Sequence, residues 1–295
     1  MDTVTHGLFG LTIYKAIDKK DQSKELKRAY FLTAMVGSQI PDSDVISQWW
    51  DQQGQYLMWH RGITHSVFFV PLWALLLSLL CFWFWGVKEK KIFYVGLLSV
   101  FIHVTSDIFN AWGTGYLEPF STMRFALGTI PIVDFFVWIV ILAGFILNRF
   151  KKYATHSIFQ VVGLVIIAHF IIQSVQGYWI YHKVEEKYSQ VALSADFIPW
   201  HFKVIGKKGG VVEISDATIW SEPKLKDRVI TADEKGLEQL FLTNKKAKTL
   251  YEWAPFVVVV DEQNRYGIYD PRFYQNGQSF LFEYMEKNVH DEADS

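Results

Sequence analysis

The residues of this chain that can do chemistry are carboxylates and imidazoles gathered in four short runs. These are MDTVTH at the start, PDSD at 41–44, HRGITHSVFF at 60–69 and HVTSD at 103–107. His103 and Asp107 stand four apart, so on a helix their side chains share one face. Asp2 and His6 repeat that spacing. His60 and His65 are five apart and do not form a same-face pair. A loop-to-helix transition at Gly62 lets both point inward, with Thr64 capping the helix that follows. Imidazole and carboxylate ligands without a thiol suit zinc first, and iron or manganese after it. An ion held this way activates water for hydrolysis. The expected metal ligands are Asp2, His6, Asp42, His65, His103 and Asp107. Asp44 and His60 are the expected acid–base groups, and Arg61 is expected to hold an anion or stabilise developing negative charge.

Each of these residues also has a plainer reading. Asp2 is a natural helix cap, and Asp42-x-Asp44 after Pro41 is an ordinary turn-and-cap signal. His103 and Asp107 can brace two helices through a buried hydrogen bond, and Arg61 can simply offset the aspartates. Glu118 and Asp134 are further candidates, Asp134 as a helix-packing acid without a partner that can be named. His156, His169, His182, His201 and His290 have no acidic partner at useful spacing.

The elements that must position these groups are mostly apolar helices. Helices are expected at 4–17 and about 29–40, both shorter than the ~20 residues that span a bilayer. Clearer spans are expected at about 66–86, 92–111, 131–147 and 157–179. The glycines and Pro119 of 112–130 predict an irregular cap between the middle two. The Trp- and Gln-rich stretch 45–59 suits the headgroup level of a membrane or a loop packed on the bundle. Of the 295 residues, 51% are apolar and 17% aromatic, an aromatic load that fits interfacial anchoring. The net charge of −1 offers no basic field for nucleic acid. Cys81 is the sole cysteine, which excludes internal disulfides and a thiolate zinc site. The N-terminus does not read as a signal peptide, since Asp2 and His6 stand where a basic region belongs.

Lys and Arg cluster at 15–28, 88–91 and 149–152. If 4–17 and 29–40 form one down-and-up pair, all three clusters fall on one side, which the positive-inside rule makes cytoplasmic. The site-bearing ends then collect on the outer face. After Tyr181 the pattern changes to a water-soluble one. Strands are expected in FKVIGKK and GGVVEISDATIW, joined by a Lys-Lys-Gly-Gly turn, and again at 256–260. A helix is expected over 231–247, and SFLFEYME is a third element. The fold class is therefore mainly α. A polytopic membrane helical bundle (1–180) carries the site, and a small soluble α+β domain (181–295) follows on the extracytoplasmic side.

The runs MDTVTHGLFG, IPDSD, HRGITHSVFF, HVTSDIFNAWGTGYLEPFS and PIVDFF, in this order over roughly residues 1–150, resemble the bacterial membrane-bound family described as metal-dependent hydrolases of the YbcI/YdjM type. The resemblance implies that Asp2, His6, Asp42, Asp44, His60, His65, His103 and Asp107 form a polar centre. Two functions fit these features. One is a membrane-embedded hydrolase acting on a phosphoester or similar bond of a lipid or envelope molecule. The other is a membrane scaffold or regulator in which the His/Asp pairs only brace the helices and the tail is the binding surface. Membrane lipids are the expected partners in either case.

Overall fold

The computed structural model describes residues 1–275 and 277–287; His290 lies outside them. The chain divides into two compact units. The first comprises Met1–Asp44, Arg61–Gly177 and Ala195–His201; the second comprises Val45–His60, Tyr178–Ser194 and the chain from Phe202 onward. In chain order the helices of the first 184 residues are α1 (Thr3–Ala16), α2 (Lys24–Gly37), the single turn α3 (Tyr56–Trp59), α4 (Val70–Trp85), α5 (Lys90–Asp107), α6 (Phe135–Arg149) and α7 (Thr155–Val184). A 3-10 helix, Ile40–Trp49, occupies the PDSD stretch.

In the first unit, α1 starts where Asp2 accepts the backbone N–H groups of Val4 and Thr5. A cap of this kind stabilises a helix by about 1 kcal/mol. Ser23 caps α2 through the Leu26 N–H, so α2 begins five residues ahead of the expected position 29. Its first turns bury Leu26, Ala29 and Tyr30 and leave Lys24, Glu25 and Arg28 exposed. An amphipathic start of this sort hides inside a basic run. Thr64 does not cap α4 as expected. The Ser66 hydroxyl instead accepts the Phe68 N–H in a short 3-10 turn, Val67–Phe69, that leads into α4. Gly86, at φ 66°, ends that helix by donating its N–H to the Phe82 carbonyl at 2.8 Å.

Helix α5 is the centre of the unit, packed against α2 and α4. Small residues make this possible. A Cβ on Gly96 would lie only 3.1 Å from the Ala74 Cα, so the α4 and α5 backbones approach closely because that position is glycine. Val70, Leu77, Val100 and Val104 fill the space between α4 and α5, and Leu26, Tyr30, Cys81 and Ile92 fill the opposite end. A third cluster joins α1, α6 and α7 through Phe9, Val137, Ile141, Val162 and Ile166. The expected irregular cap at 112–130 is non-helical. It is tied to the segment bearing His65 by the Val67 N–H to the Tyr116 carbonyl (3.0 Å) and the Gly115 N–H to the Arg61 carbonyl (2.7 Å).

Among the described residues, two stretches are long and apolar enough to cross a membrane, Val67–Trp85 and Thr155–Lys187; Phe135–Arg149 is apolar but shorter. Helix α5, expected as a span, carries Ser99, His103, Thr105, Ser106 and Asp107, which break its apolarity. The outward faces are those of a protein in lipid. Leu72, Leu75, Leu79 and Trp83 on α4 and Leu164, Ile167 and Ile171 on α7 are all at least half exposed. In water such a continuous apolar face would drive aggregation.

The second unit contains β1 (Gln190–Ala195), β2 (Phe202–Lys208), β3 (Val211–Thr218) and β4 (Ser221–Ile230) in one sheet in that order. After it come α8 (Leu237–Thr243), α9 (Lys245–Trp253), β5 (Val258–Asp261), β6 (Arg265–Tyr269), the two-residue ladder β7 (Tyr274–Gln275) and β8 (Gln278–Ser279), and β9 (Phe282–Glu286), which joins β5 and β6 in a second sheet. Ile205, Val212, Ile214, Phe256 and Val258 form its core. The single helix expected over 231–247 is broken, because the Asn244 side chain accepts the N–H groups of Lys246 and Ala247 and starts α9 afresh.

Candidate metal centre

Four donors from three places in the sequence converge within the first unit. Asp42 comes from the 3-10 turn after α2, His65 from a one-turn 3-10 helix (Ile63–His65), and His103 and Asp107 from successive turns of α5. One ligand atom of each lies within 4.8 Å of the others. His65 Nε2 stands 3.1 Å from His103 Nε2, 3.2 Å from Asp42 Oδ1 and 3.4 Å from Asp107 Oδ2. His103 Nε2 stands 3.6 Å from Asp42 Oδ1 and 3.7 Å from Asp107 Oδ2. Nitrogen and oxygen ligands at ~2.0–2.2 Å from a tetrahedral ion are separated by roughly 3.3–3.6 Å from one another. The donors already stand at about that spacing, so the cluster can hold a metal ion.

Outer partners aim both imidazoles. His103 Nδ1 donates to the Ser38 carbonyl at 2.7 Å, which leaves the Nε2 lone pair facing the cluster. His65 Nδ1 is flanked by Thr64 Oγ1 at 3.0 Å and Asp44 Oδ2 at 3.3 Å. Asp44 Oδ2 also accepts the Thr64 hydroxyl (2.6 Å) and the Arg61 backbone N–H (3.0 Å). Asp44 thus stands behind His65 and holds it, as the carboxylate of a carboxylate–histidine–metal arrangement does.

The surroundings are almost dry. The side chains of His65, His103 and Asp107 are fully buried, and Asp42, at 19% exposure, is the corner that faces out. Burial works against protonation of His65, but hydrogen bonds with Asp107, Asp42 and Asp44 outweigh it and push its pKa up to about 10. Burial likewise disfavours ionised Asp42, and the two imidazoles reverse this and hold its carboxyl well below the usual carboxylate range. Both shifts express one fact: clustered carboxylates in a buried site require positive charge. Asp107 Oδ2 is completely buried and lies 3.4 Å from His65 Nε2 and 3.7 Å from His103 Nε2. Arg61 Nε is 3.2 Å away, but off the line of a hydrogen bond.

Arg61 is 4% exposed and adopts φ 58°, a left-handed conformation that costs a non-glycine residue roughly 1–2 kcal/mol. Its guanidinium reaches Asn110 Oδ1 at 2.9 Å and the Met1 carbonyl at 3.1 Å, as well as Asp107. The one carboxylate among these guanidinium contacts is Asp107. His6 packs its ring on His103, centroids 3.7 Å apart, and places Nε2 3.3 Å from Asp107 Oδ1. It touches the far oxygen of Asp107 and is not one of the four converging donors. The Met1 amino group also contacts Asp107. Asp2 is engaged as the α1 cap and with the Thr5 hydroxyl. His60 belongs to the second unit, where its ring stacks on Tyr56 with centroids 5.0 Å apart.

Four residues read from the sequence as lacking partners have one. His169 Nε2 lies 2.8 Å from Asp134 Oδ2, both buried, with Phe136 stacked on the imidazole. This names the partner of Asp134 that the sequence could not name and gives His169 an acid that no local spacing reports. They lie 35 positions apart on α7 and at the start of α6, a separation that carries no local signal. His182 also has an acid, Glu185, three residues on at the end of α7, and His156 lies 3.8 Å from Asp18. Glu118 stands 3.9 Å from Arg124 within the cap. Sequence reasoning missed Ser38 and Asn110, since a backbone carbonyl and a lone amide carry no spacing signal.

The chain matches the YdjM inner membrane protein family over residues 1–180 and belongs to that family. Among curated proteins it is similar to YfhP of Bacillus subtilis (strain 168), described as uncharacterized, with 33% identity over 148 residues. That alignment covers 49% of this chain and 45% of YfhP, so the match spans about half the length of either protein. No solved structure matches the chain. Family membership and the two long apolar helices place the protein in a membrane.

Proposed function

We propose that Asp42, His65, His103 and Asp107 bind a divalent ion, zinc before iron or manganese, and that the protein is a membrane-embedded hydrolase of a phosphoester or similar bond in a lipid or envelope molecule. The observation that carries this reading is the set of donor separations, 3.1–3.7 Å around a buried point. An ion bound there supplies Lewis acidity and lowers the pKa of water. The chain's own residues do the rest. Ser38 and Asp44 orient the imidazoles, Arg61 offsets the Asp107 charge, and burial excludes bulk water, which strengthens every charge interaction inside. Asp42 marks the side from which a substrate enters.

The basic clusters at 15–28, 88–91 and 149–152 support a multi-pass topology with those loops inside. The metal centre and the domain after residue 180 are then extracytoplasmic, membrane lipids are the partners, and nucleic acid is not one. A rival reading, in which the His/Asp network only braces the helices, draws on Arg61, whose guanidinium is spent inside the cluster.

The test is a screen of detergent-purified protein on phosphoesters and lipid phosphates, with metal stripped and then zinc, manganese or iron restored. We expect metal-dependent hydrolysis that His103→Ala abolishes. Absence of turnover by metal-loaded protein on every ester offered, or turnover indifferent to His103→Ala, overturns the hydrolase reading in favour of the brace.

A further inference from the structure

Helices α6 and α7 leave a groove between them that plays no part in the metal centre. It has a volume of about 460 Å³ and is walled by Val140, Gly144 and Leu147 on α6 and by Tyr153, Val161 and Val165 on or just before α7. The walls are almost wholly apolar; Ser157 is the one hydroxyl besides Tyr153. Counted along the helices, the groove runs some 10–12 Å at 1.5 Å per residue, from the α6–α7 loop inward. That is most of one leaflet, half of a ~30 Å hydrocarbon core. Its size is that of a small-molecule site, and its shape is that of a slot for a chain.

The mouth has the opposite character. The stretch that closes it, residues 148–154 at the end of α6 and in the loop after it, holds Arg149, Lys151 and Lys152 and contains no carboxylate. All three cations are exposed. Lys152 lies over the Tyr153 ring at 5.5 Å, so one cation and one groove wall are in contact at the mouth. Asp18, in the loop between α1 and α2, faces His156 at 3.8 Å. Helix α7 begins three to six residues after these cations and lies in one of the two stretches able to cross a membrane. An apolar slot of leaflet depth below a cluster of exposed cations matches one occupant: a phospholipid with an anionic headgroup.

We propose that the α6–α7 groove binds an anionic phospholipid, one acyl chain lying against Val140, Gly144 and Val161 and the headgroup phosphate resting on Arg149, Lys151 and Lys152. Gly144 shapes the slot. A Cβ there would stand 2.6 Å from Val162 Cγ2, so only glycine lets the two helices close at the base while the groove stays open toward the loop. This site is separate from the proposed hydrolase chemistry and does not depend on it.

The experiment is native mass spectrometry of the full chain after exchange in nanodiscs of phosphatidylglycerol and phosphatidylcholine with identical acyl chains. The parent should retain phosphatidylglycerol in preference, by roughly fivefold for each cation that contacts the headgroup. Charge reversal at Arg149, Lys151 and Lys152 together should abolish the preference and leave chain binding. Val161→Trp, at an exposed wall position, should reduce retention of both lipids. Leu164→Trp, equally exposed on α7 but outside the groove, should change neither and controls for folding. Equal retention of the two lipids by the parent overturns the headgroup assignment. Identical lipid retention in Val161→Trp and Leu164→Trp overturns the groove. So does conversion of an oligomer to a monomer by Val161→Trp with lipid unchanged, which would make the groove a contact between copies of this chain. Metal content, read on the same samples, should be the same in every variant.

Discussion

His65 Nδ1 lies 3.3 Å from Asp44 Oδ2, and its other ring nitrogen lies 3.1 Å from His103 Nε2. One ring therefore links an outer carboxylate to the inner donor set. On the proposed reading the two aspartates of PDSD divide the labour: Asp42 offers a ligand oxygen to the ion, and Asp44 orients His65. Asp44→Asn keeps the shape and the Thr64 contact but removes the charge. It should weaken metal affinity by about 10–100-fold, the usual cost of losing such a partner. Asp42→Ala should cost more, because a donor is lost outright. Competition with a chelator of known affinity measures both. Equal affinities for Asp44→Asn and the parent would mean that Asp44 does not orient His65.

The buried Asp134–His169 pair predicts a stability effect without a metal effect. Removing one partner of a buried pair and leaving the other unpaired costs about 3–5 kcal/mol. Thermal unfolding of His169→Ala in detergent should show a marked loss, and the double replacement Asp134→Asn with His169→Gln should recover part of it. Both proteins, where folded, should keep their metal. Metal loss in folded His169→Ala would place that histidine in the site.

What could be read from the sequence depended on whether a signal was local. The His103/Asp107 pair was visible because a four-residue step on one helix puts two side chains on one face. His65 was visible only by type, since its position depends on the left-handed turn at Arg61 and on cap backbone that no periodicity reports. The pair 134/169 joins two helices and leaves no trace at short range. In the tail, β2 and β3 alternate apolar and polar residues around a glycine turn and were legible. The strand β4 was not, because SEPKLKDRVI is mostly exposed and charged along its length. β1 was missed as well, as a short strand following directly on the long α7. Asn244 broke a helix whose apolar spacing ran on through it.

Topology gives a third prediction. With the basic loops inside, reporter fusions after Trp112 and after residue 200 should both report the extracytoplasmic side, and one after Lys90 the cytoplasm. A cytoplasmic signal at residue 200 would put the tail inside. A cytoplasmic signal at Trp112 would put the metal centre on the inner face and exclude an envelope substrate.

If the four converging side chains hold an ion, elemental analysis of protein purified in mild detergent without chelator will find it. His65→Ala and His103→Ala each remove a donor and should lose most of the metal. His156→Ala, outside the cluster and beside Asp18, should retain the parent's content. The parent and His156→Ala should carry near-stoichiometric zinc, iron or manganese, and the other two little. A parent that stays empty after metal is restored at neutral pH, or a His65→Ala protein as fully loaded as the parent, would contradict it.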